Sequence, residues 1–295
     1  MTTVKERLAG YASEVEAVLT ACLEDKTIPD VLRPAMEYSL MAGGKRLRPV
    51  LCVVWAEMLG LPREKSVHFA SGLELIHTYS LVHDDLPAMD DDDLRRGKPS
   101  NHKQFGEAAA ILAGDGLLTE AFSMMLESNL PAERVVRAAA RVARGAGPSG
   151  MVGGQAVDMD FTGRSEGVAL DKLKAMHAMK TGELITAACE SGAILSGKGE
   201  EDERRAAEYG RNVGVAFQIA DDILDVVGDQ ETLGKPVGSD EGHGKSTYPA
   251  LVGLEESRRL ADEAVEASLS ALGPYSGPQA EFLSELARYI VQRVN

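Results

Sequence analysis

The chain has 295 residues, of which 44% are hydrophobic and 26% charged, and its 31 Lys and Arg against 46 Asp and Glu give a net charge of −15 at pH 7. This composition excludes a disordered or collagen-like chain and a small disulfide-bonded domain, because it supplies enough apolar residues for a large core. A protein with this negative charge has no general positive field to bind nucleic acid or an anionic membrane surface. Any anionic substrate must therefore be bound by local cations or by metal ions.

Apolar residues recur at helical spacing along almost the whole chain. Leu8, Tyr11 and Val15 show this period in the first segment, and it returns in the segments 50–59, 69–82, 108–126 and 135–143. Sustained period-two alternation does not occur, and the aromatic content of 5% is low for a β protein. Short glycine- and proline-containing connectors separate the segments. The sequence therefore predicts an all-α fold, a single domain over 1–295 with about ten helices.

The chain has three widely spaced cysteines, Cys22, Cys52 and Cys189. They indicate neither a disulfide framework, which needs an even number of cysteines, nor a Cys-x-x-Cys site, and they favour a reducing compartment. Residues 1–24 mix charged with apolar residues and do not resemble a signal peptide. The sequence contains no uninterrupted apolar run of about 18 residues. We expect a soluble, cytoplasmic protein with no membrane insertion.

An acidic run follows the apolar segment 69–82. Asp84 and Asp85 come directly after it, and aspartates also occupy positions 90–93. A charge run alone is usually a solvated face. At the end of a buried helix, however, clustered carboxylates repel one another unless a cation neutralises them. The cation is not calcium in an EF-hand, since the sixth position counted from Asp90 is Arg95 where that loop requires glycine.

A second acidic cluster lies at 218–225. Asp221 and Asp225 are four residues apart on one face of an apolar helix, and Gln218 lies one turn earlier. Ligands that are all oxygen suit Mg²⁺ and do not indicate zinc. One such cluster is weak evidence, but two clusters at the polar ends of apolar helices predict a shared magnesium site in one cavity.

Cations accompany both clusters, as an anionic substrate would require. Lys45 and Arg48 follow Gly43-Gly44 at a helix start, where free backbone N–H groups also attract anions. Lys180 lies in an otherwise apolar helix, where a lysine is costly without an anion. The remaining candidates are Arg95, Arg96, Lys235 and Lys245. Each also has an ordinary interpretation, as a helix start, a counter-ion or a solvated loop.

Two further features concern apolar space. Gly150, Gly154 and Asp158 are four residues apart, so one helix face is nearly bare, either for close packing or to leave room for an alkyl chain. Tyr79 lies five residues before Asp84, roughly 7.5 Å deeper along the helix. It is either a core residue or the floor of an apolar pocket.

Taken together, these motifs resemble those of the trans-isoprenyl diphosphate synthases, over nearly the whole chain. The matching segments are GGKRLRP at 43–49, DDLPAMDDDDLRRGKPSNH at 84–102, GGQAVDMD at 153–160, KTGELI at 180–185, FQIADDILD at 217–225 and GKSTYP at 244–249. Within the family, the four residues between Asp85 and Asp90 resemble the pattern of bacterial short-chain farnesyl diphosphate synthases.

The resemblance implies an all-α isoprenoid synthase fold around a deep central cavity, usually in a homodimer. It implies roughly two to three Mg²⁺ ions, bound with substrate diphosphate by Asp84, Asp85, Asp90, Asp221, Asp222 and Asp225. The allylic diphosphate would be held by Arg95, Lys180, Thr181, Gln218, Lys235 and Lys245, and isopentenyl diphosphate by Gly44, Lys45, Arg48, His77 and Arg96. The residues expected to act in catalysis are Asp84, Asp90, Arg95, Lys180, Thr181, Gln218, Asp221 and Lys235.

The implied reaction is head-to-tail condensation of isopentenyl diphosphate with dimethylallyl and geranyl diphosphate, by ionisation, condensation and elimination, to give farnesyl diphosphate and pyrophosphate. Tyr79, with Ser80 as the next wall position, resembles the farnesyl-length pattern; a geranylgeranyl diphosphate synthase is the alternative. A class I terpene cyclase would lack the isopentenyl site. A non-catalytic subunit would be expected to have lost one aspartate cluster, and a generic acidic helical protein would lack the paired cationic motifs.

Overall fold

The computed structural model describes residues 3–24, 27–162, 168–227 and 246–292. The helices are α1 (Val4–Cys22), α2 (Arg33–Leu40), α3 (Leu47–Met58), α4 (Arg63–Asp84), α5 (Asn101–Phe105), α6 (Glu107–Leu126), α7 (Ala132–Ala146), α8 (Met151–Phe161), α9 (Leu170–His177), α10 (Glu183–Ser196), α11 (Glu200–Val227), α12 (Tyr248–Val252), α13 (Leu254–Ala271) and α14 (Pro278–Gln292). A π-helix (Ala178–Gly182) joins α9 to α10, and the strands β1 (Leu94–Arg95) and β2 (Lys98–Pro99) lie between α4 and α5.

The described residues confirm the prediction of an all-α fold. Ten of their helices have eleven residues or more, in agreement with the predicted number. The unpredicted element is the antiparallel pair β1–β2, in which Arg95 lies opposite Lys98. Strands of two residues are too short to show alternation, so the sequence gives no signal for them. The pair closes the turn after the acidic run and thereby positions Arg95 and Arg96.

The centre of the fold is formed by α3, α4 and α10. Helix α3 packs against α4 and α10, and α10 packs in turn against α7 and α11. Every residue from Pro49 to Ala56 is buried, as expected for a helix surrounded on all sides. The crossing of α3 and α10 depends on Gly192, because a Cβ there would lie 2.2 Å from the Cys52 carbonyl oxygen. The three cysteines are free thiols.

Helix α6 is the one helix within the described ranges that is long and apolar enough to cross a membrane. It carries Asp115 and Glu120 and packs along α4, with α2 and α5 also in contact. Its exposed apolar side chains include Ile111, Leu112 and Leu126. The helix is therefore an element of the bundle that leaves apolar side chains at the surface.

Candidate active site

A largely apolar cavity of about 450 Å³ lies between α3, α4, α8 and the π-helix. Its polar lining includes Arg48, His77, Asp84, Lys180 and Thr181, and its apolar lining includes Tyr79, Leu81, Met89, Met151, Val152, Ala156 and Met159. Charged groups and an apolar wall in one cavity fit a molecule with an anionic head and an apolar chain.

Asp84 and Asp90 lie together at the acidic rim of the cavity. Asp84 is the last residue of α4, and the following turn folds back so that the Asp90 N–H donates to the Asp84 carbonyl oxygen at 2.9 Å. Burial raises the pKa of Asp84 to about 6; Lys180 opposes the rise, and the Asp90 carboxylate adds to it. The nearby cations offset the cost of burying this carboxylate only in part, which is the environment expected of a metal ligand.

Three other aspartates of the run bind side chains. Arg95 Nε donates to Asp85 Oδ1 at 2.9 Å, and Arg95 Nη2 contacts the same oxygen and lies 3.3 Å from Asp92 Oδ2. Lys103 Nζ lies 2.7 Å from Asp93 Oδ1. Asp85 and Arg95, which the resemblance gives to the metal and to the allylic diphosphate, are therefore bound to each other in this structure.

Lys180 has the anionic partner that its position in an apolar helix predicts. Its Nζ donates to Asp158 Oδ2 on α8 at 2.7 Å. Burial lowers the pKa of Lys180, but neighbouring carboxylates outweigh burial and the pKa is raised; these are Asp158, Asp84 and Asp90. The ammonium group is thus held charged between α8 and the acidic rim, with Thr181 beside it in the same cavity.

The bare face of α8 serves close packing. A Cβ on Gly154 would lie 2.2 Å from the Lys180 backbone nitrogen, and one on Gly150 would lie 2.1 Å from the Gly145 carbonyl oxygen. The alternative interpretation, that these glycines leave room for an alkyl chain, is wrong, because backbone already fills the space. Helix α8 instead lines the cavity with Met151, Val152, Gln155, Ala156 and Met159.

The second acidic cluster lies on α11, which packs against the π-helix. Gln218 Nε2 donates to Asp222 Oδ1 at 3.2 Å, and the Tyr248 backbone N–H donates to Asp222 Oδ2 at 2.9 Å. Asp222 therefore ties α12 to α11. Asp225 is also buried, whereas Asp221 is half-buried. Gln218 lines a second cavity, of about 430 Å³, and is not among the described residues that line the first.

The described residues contain no group of three or more His, Cys, Asp or Glu side chains arranged to hold a metal ion by themselves. The acidic rim supplies oxygen ligands only, which is the donor chemistry that Mg²⁺ prefers. Lys235 and Lys245, two of the predicted diphosphate ligands, lie outside the described residues.

The residues expected to bind isopentenyl diphosphate converge at the start of α3. Arg48 and His77 line the cavity, and Arg96 Nη1 lies 2.7 Å from where a Cβ would stand on Gly44. Burial lowers the pKa of Arg48 to about 10, and its Nε is buried with no hydrogen-bond partner among the described residues. Burial lowers the pKa of His77 well below its usual range, and the Arg48 and Arg96 charges add to this. Lys45 is exposed. Arg48, Arg96 and His77 thus lie close enough for the two arginine charges to act on the imidazole.

Sequence reasoning missed the roles of Arg46 and Glu74. Arg46 lies inside the GGKRLRP segment, yet it is 2% exposed, and its Nη1 donates to the buried Glu74 Oε1 at 2.8 Å. Its Nη2 donates to the Leu40 carbonyl oxygen at 2.8 Å, and its φ of 49° is left-handed. Arg46 therefore anchors the turn that presents Arg48. The sequence does contain one signal of this pair: a glutamate within the apolar segment 69–82, which needs a cationic partner if it is buried.

Replacing Glu74 with Leu is expected to lower the free energy of unfolding by about 3 kcal/mol, because the buried Arg46 loses its buried carboxylate partner and keeps only the more exposed Glu16, 3.3 Å from its Nε. Urea unfolding followed by circular dichroism measures the change. Glu263→Leu, which breaks an exposed pair with Arg259, serves as the control and is expected to cost less than about 1 kcal/mol. The double variant Arg46→Met/Glu74→Leu should recover part of the loss; equal losses in Glu74→Leu and the control would contradict this role.

Tyr79 and Ser80 both line the cavity, where the resemblance places the chain-length residues. Tyr79 is 6% exposed, and burial raises its pKa to about 12, with the Asp84 carboxylate adding to the rise. The Ser80 hydroxyl donates to the His77 carbonyl oxygen at 2.9 Å. Tyr79 is thus a wall of the cavity and part of the core at the same time.

An all-helical bundle that presents acidic and cationic side chains to one apolar cavity is the architecture of the prenyltransferases of isoprenoid synthesis. The chain belongs to the polyprenyl synthetase family, whose family model matches residues 29–271.

Relatives of different product length resemble the chain equally. It is 45% identical over 269 residues to the farnesyl diphosphate synthase of Geobacillus stearothermophilus, covering 90% of each chain. It is also 45% identical over 269 residues to the geranylgeranyl diphosphate synthase of Cyanophora paradoxa, covering 90% of this chain and 89% of that one. Among solved structures, geranylgeranyl pyrophosphate synthetase from Pyrococcus horikoshii Ot3 superposes with a TM-score of 0.90 at 31% identity, covering 98% of each chain.

Proposed function

We propose that the protein, as one unit over 1–295, catalyses the Mg²⁺-dependent head-to-tail condensation of isopentenyl diphosphate with dimethylallyl and geranyl diphosphate. The products are farnesyl diphosphate and pyrophosphate. The observation that carries the proposal is a single cavity in which an apolar wall ends at Asp84, Lys180 and Arg48. Membership of the polyprenyl synthetase family and 45% identity to a farnesyl diphosphate synthase support it.

The acidic rim fits Mg²⁺. Asp84 and Asp90 would supply carboxylate oxygens, and Asp221 on α11 would supply another. Burial raises the pKa of Asp84 more than the Lys180 and Arg95 charges lower it, so a bound cation would stabilise its carboxylate. Because the described side chains do not form a complete ligand set, substrate oxygens would have to complete it. When bound, Mg²⁺ would stabilise the charge that develops on the diphosphate as its C–O bond breaks.

The protein's own cations would hold the two diphosphates apart. Lys180, kept charged by its carboxylate neighbours, would bind the allylic diphosphate beside the acidic rim. Arg48 would donate its Nε–H, which has no hydrogen-bond partner in the described part of the chain, to isopentenyl diphosphate. His77, neutral at pH 7 because of its lowered pKa, would hydrogen-bond without adding charge. The apolar wall would keep water from the allylic cation, and the proton would leave with the released pyrophosphate.

The test is to incubate the protein with isopentenyl diphosphate, geranyl diphosphate and Mg²⁺, and to size the products after phosphatase treatment. We expect farnesol as the major product, no product in excess EDTA, and recovery when Mg²⁺ is returned. Failure of the protein alone to condense the substrates would contradict the proposal and favour a non-catalytic subunit. A geranylgeranyl product would correct only the product length.

Replacing Tyr79 with Ala is expected to lengthen the major product by at least one isoprene unit, because it removes the ring from the cavity wall. Product sizing by mass spectrometry measures the shift. Tyr289→Ala, in α14 away from the cavity, is the control and should leave the product unchanged. An unchanged product from Tyr79→Ala would show that another residue ends the cavity.

We also infer that two copies associate through α6 in the cytoplasm. Its exposed Ile111, Leu112 and Leu126 would be buried by a second copy, which removes apolar surface from water. Light scattering of the purified protein should give the mass of a dimer, and Leu112→Lys should reduce it toward that of one chain.

A further inference from the structure

Tyr79 has a neighbour in the cavity wall that the sequence motifs do not mark. His83 lies one turn later on α4 and lines the same cavity. The two rings meet edge to face, with their centroids 5.8 Å apart and their planes at 80°. The His83 ring therefore restricts the positions that the Tyr79 ring can take.

The His83 ring is held in turn by α6. Its Nε2 lies 3.0 Å from the Ile111 carbonyl oxygen. A Cβ on Gly114 would lie 2.1 Å from His83 Nε2 and 2.4 Å from its Cδ2, far inside van der Waals contact. The imidazole thus occupies the space that this glycine leaves in α6, and a side chain at position 114 would displace it.

We propose that Gly114 and His83 determine product length by positioning the cavity wall at Tyr79. They form a continuous series of contacts from α6 through the imidazole to the tyrosine ring. The inference rests on the proposed function, since it concerns the length of the chain that the cavity accommodates. His83 is a wall and positioning residue, whereas Gly114 acts only through His83.

The two residues predict opposite changes. In Gly114→Ala the added methyl group pushes the imidazole away from α6 and toward the cavity, so space for the growing chain is lost. In His83→Ala the ring is absent, and both its own volume and the space that Tyr79 can move into are gained. Gly114→Ala should therefore shorten the product, and His83→Ala should lengthen it.

The experiment sizes the products of the wild type, Gly114→Ala, His83→Ala and the double variant, with isopentenyl diphosphate in excess over the allylic substrate. Relative to the wild type, Gly114→Ala should raise the ratio of the product one isoprene unit shorter by about tenfold, the scale on which apolar pockets discriminate a small volume change. His83→Ala should raise the ratio of the longer product to a similar degree.

The double variant shows whether Gly114→Ala acts through the His83 ring or by disturbing the fold in general. Once the imidazole is gone, the methyl group at position 114 has nothing to displace, so the double variant should give the product pattern of His83→Ala. Gly116→Ala is the matched control on α6, because its Cβ would meet only the ends of flexible side chains, Met36 Sδ at 3.1 Å and Leu32 Cδ2 at 3.9 Å, and its products should equal those of the wild type.

Shifts in the same direction, additive shifts or an unchanged product from Gly114→Ala would overturn the inference. A wild-type protein that forms no product would instead refute the proposed function.

Discussion

Asp84→Asn is expected to lower kcat about 10³-fold, since it removes one of the carboxylates proposed to bind the Mg²⁺ that would stabilise the departing pyrophosphate. Asparagine has nearly the same shape but cannot carry the negative charge that Mg²⁺ requires. Steady-state kinetics with saturating isopentenyl and geranyl diphosphate measure the loss. Added Mg²⁺ should not restore the rate, because the ligand itself is missing.

The control for this variant lies in the same acidic run. Asp93→Asn removes an equal charge nine residues later, from an exposed side chain that pairs with Lys103. Its kcat should stay within about threefold of the wild type, because an exposed ion pair contributes little. If both variants lost activity equally, the effect would be one of overall charge, and Asp84 would have no special place at the rim.

A stability measurement separates a functional role of Asp84 from a structural one. Burial raises the pKa of its carboxyl group to about 6, above that of an unfolded chain. The ionised group therefore destabilises the fold, a cost that appears as pH rises through this interval and is complete above it. Asn carries no charge, so at pH 7 the metal-free variant should unfold at the same or a higher urea concentration than the wild type. Lower stability together with lower activity would indicate a structural role instead.

The features that could be predicted from sequence are those that depend on the spacing of residues within a short segment. Helix α4 shows its period up to the residue where it ends, at Asp84. The first acidic cluster follows this helix and the second lies in the last turns of α11, so the positions of both can be predicted from a few turns of chain. The need of Lys180 for an anion follows from its apolar surroundings alone. Its partner Asp158 is 22 residues away, and residue spacing does not select it among the other carboxylates.

What could not be predicted depends on contacts between distant segments. The hydrogen bond from Arg95 to Asp85 forms only because the β1–β2 turn brings the two residues together. The buried pair of Arg46 and Glu74 forms only because the start of α3 packs against α4. In both contacts, a charged residue of a predicted binding motif is bound to another side chain of the protein. Residue type and spacing identify which residues can bind an anion or a metal, but only the packed structure shows which of them are already occupied.

Gly154→Ala is expected to reduce kcat by about 10²-fold, the scale of a displacement of about 1 Å at a reacting centre. A Cβ at this position would lie 2.2 Å from the Lys180 nitrogen and 2.5 Å from its Cα. Both are backbone atoms, so no side-chain rotation can relieve the overlap, and α8 and the π-helix must separate. Asp158 lies one turn further along α8, so the same shift would disturb its 2.7 Å contact with Lys180.

Kinetics and urea unfolding of the same variant test whether the close contact between α8 and the π-helix is needed for activity as well as for stability. Overpacking should lower the free energy of unfolding by about 1 to 3 kcal/mol, whereas Gly10→Ala, in α1 with nothing within 4 Å of the added Cβ, should raise it by up to about 1 kcal/mol. Because the displaced atoms carry Lys180, the loss in kcat should persist at temperatures where the variant is fully folded. Full activity in folded Gly154→Ala would mean that the Lys180 ammonium reaches the diphosphate without support from α8, and that the glycine serves packing alone.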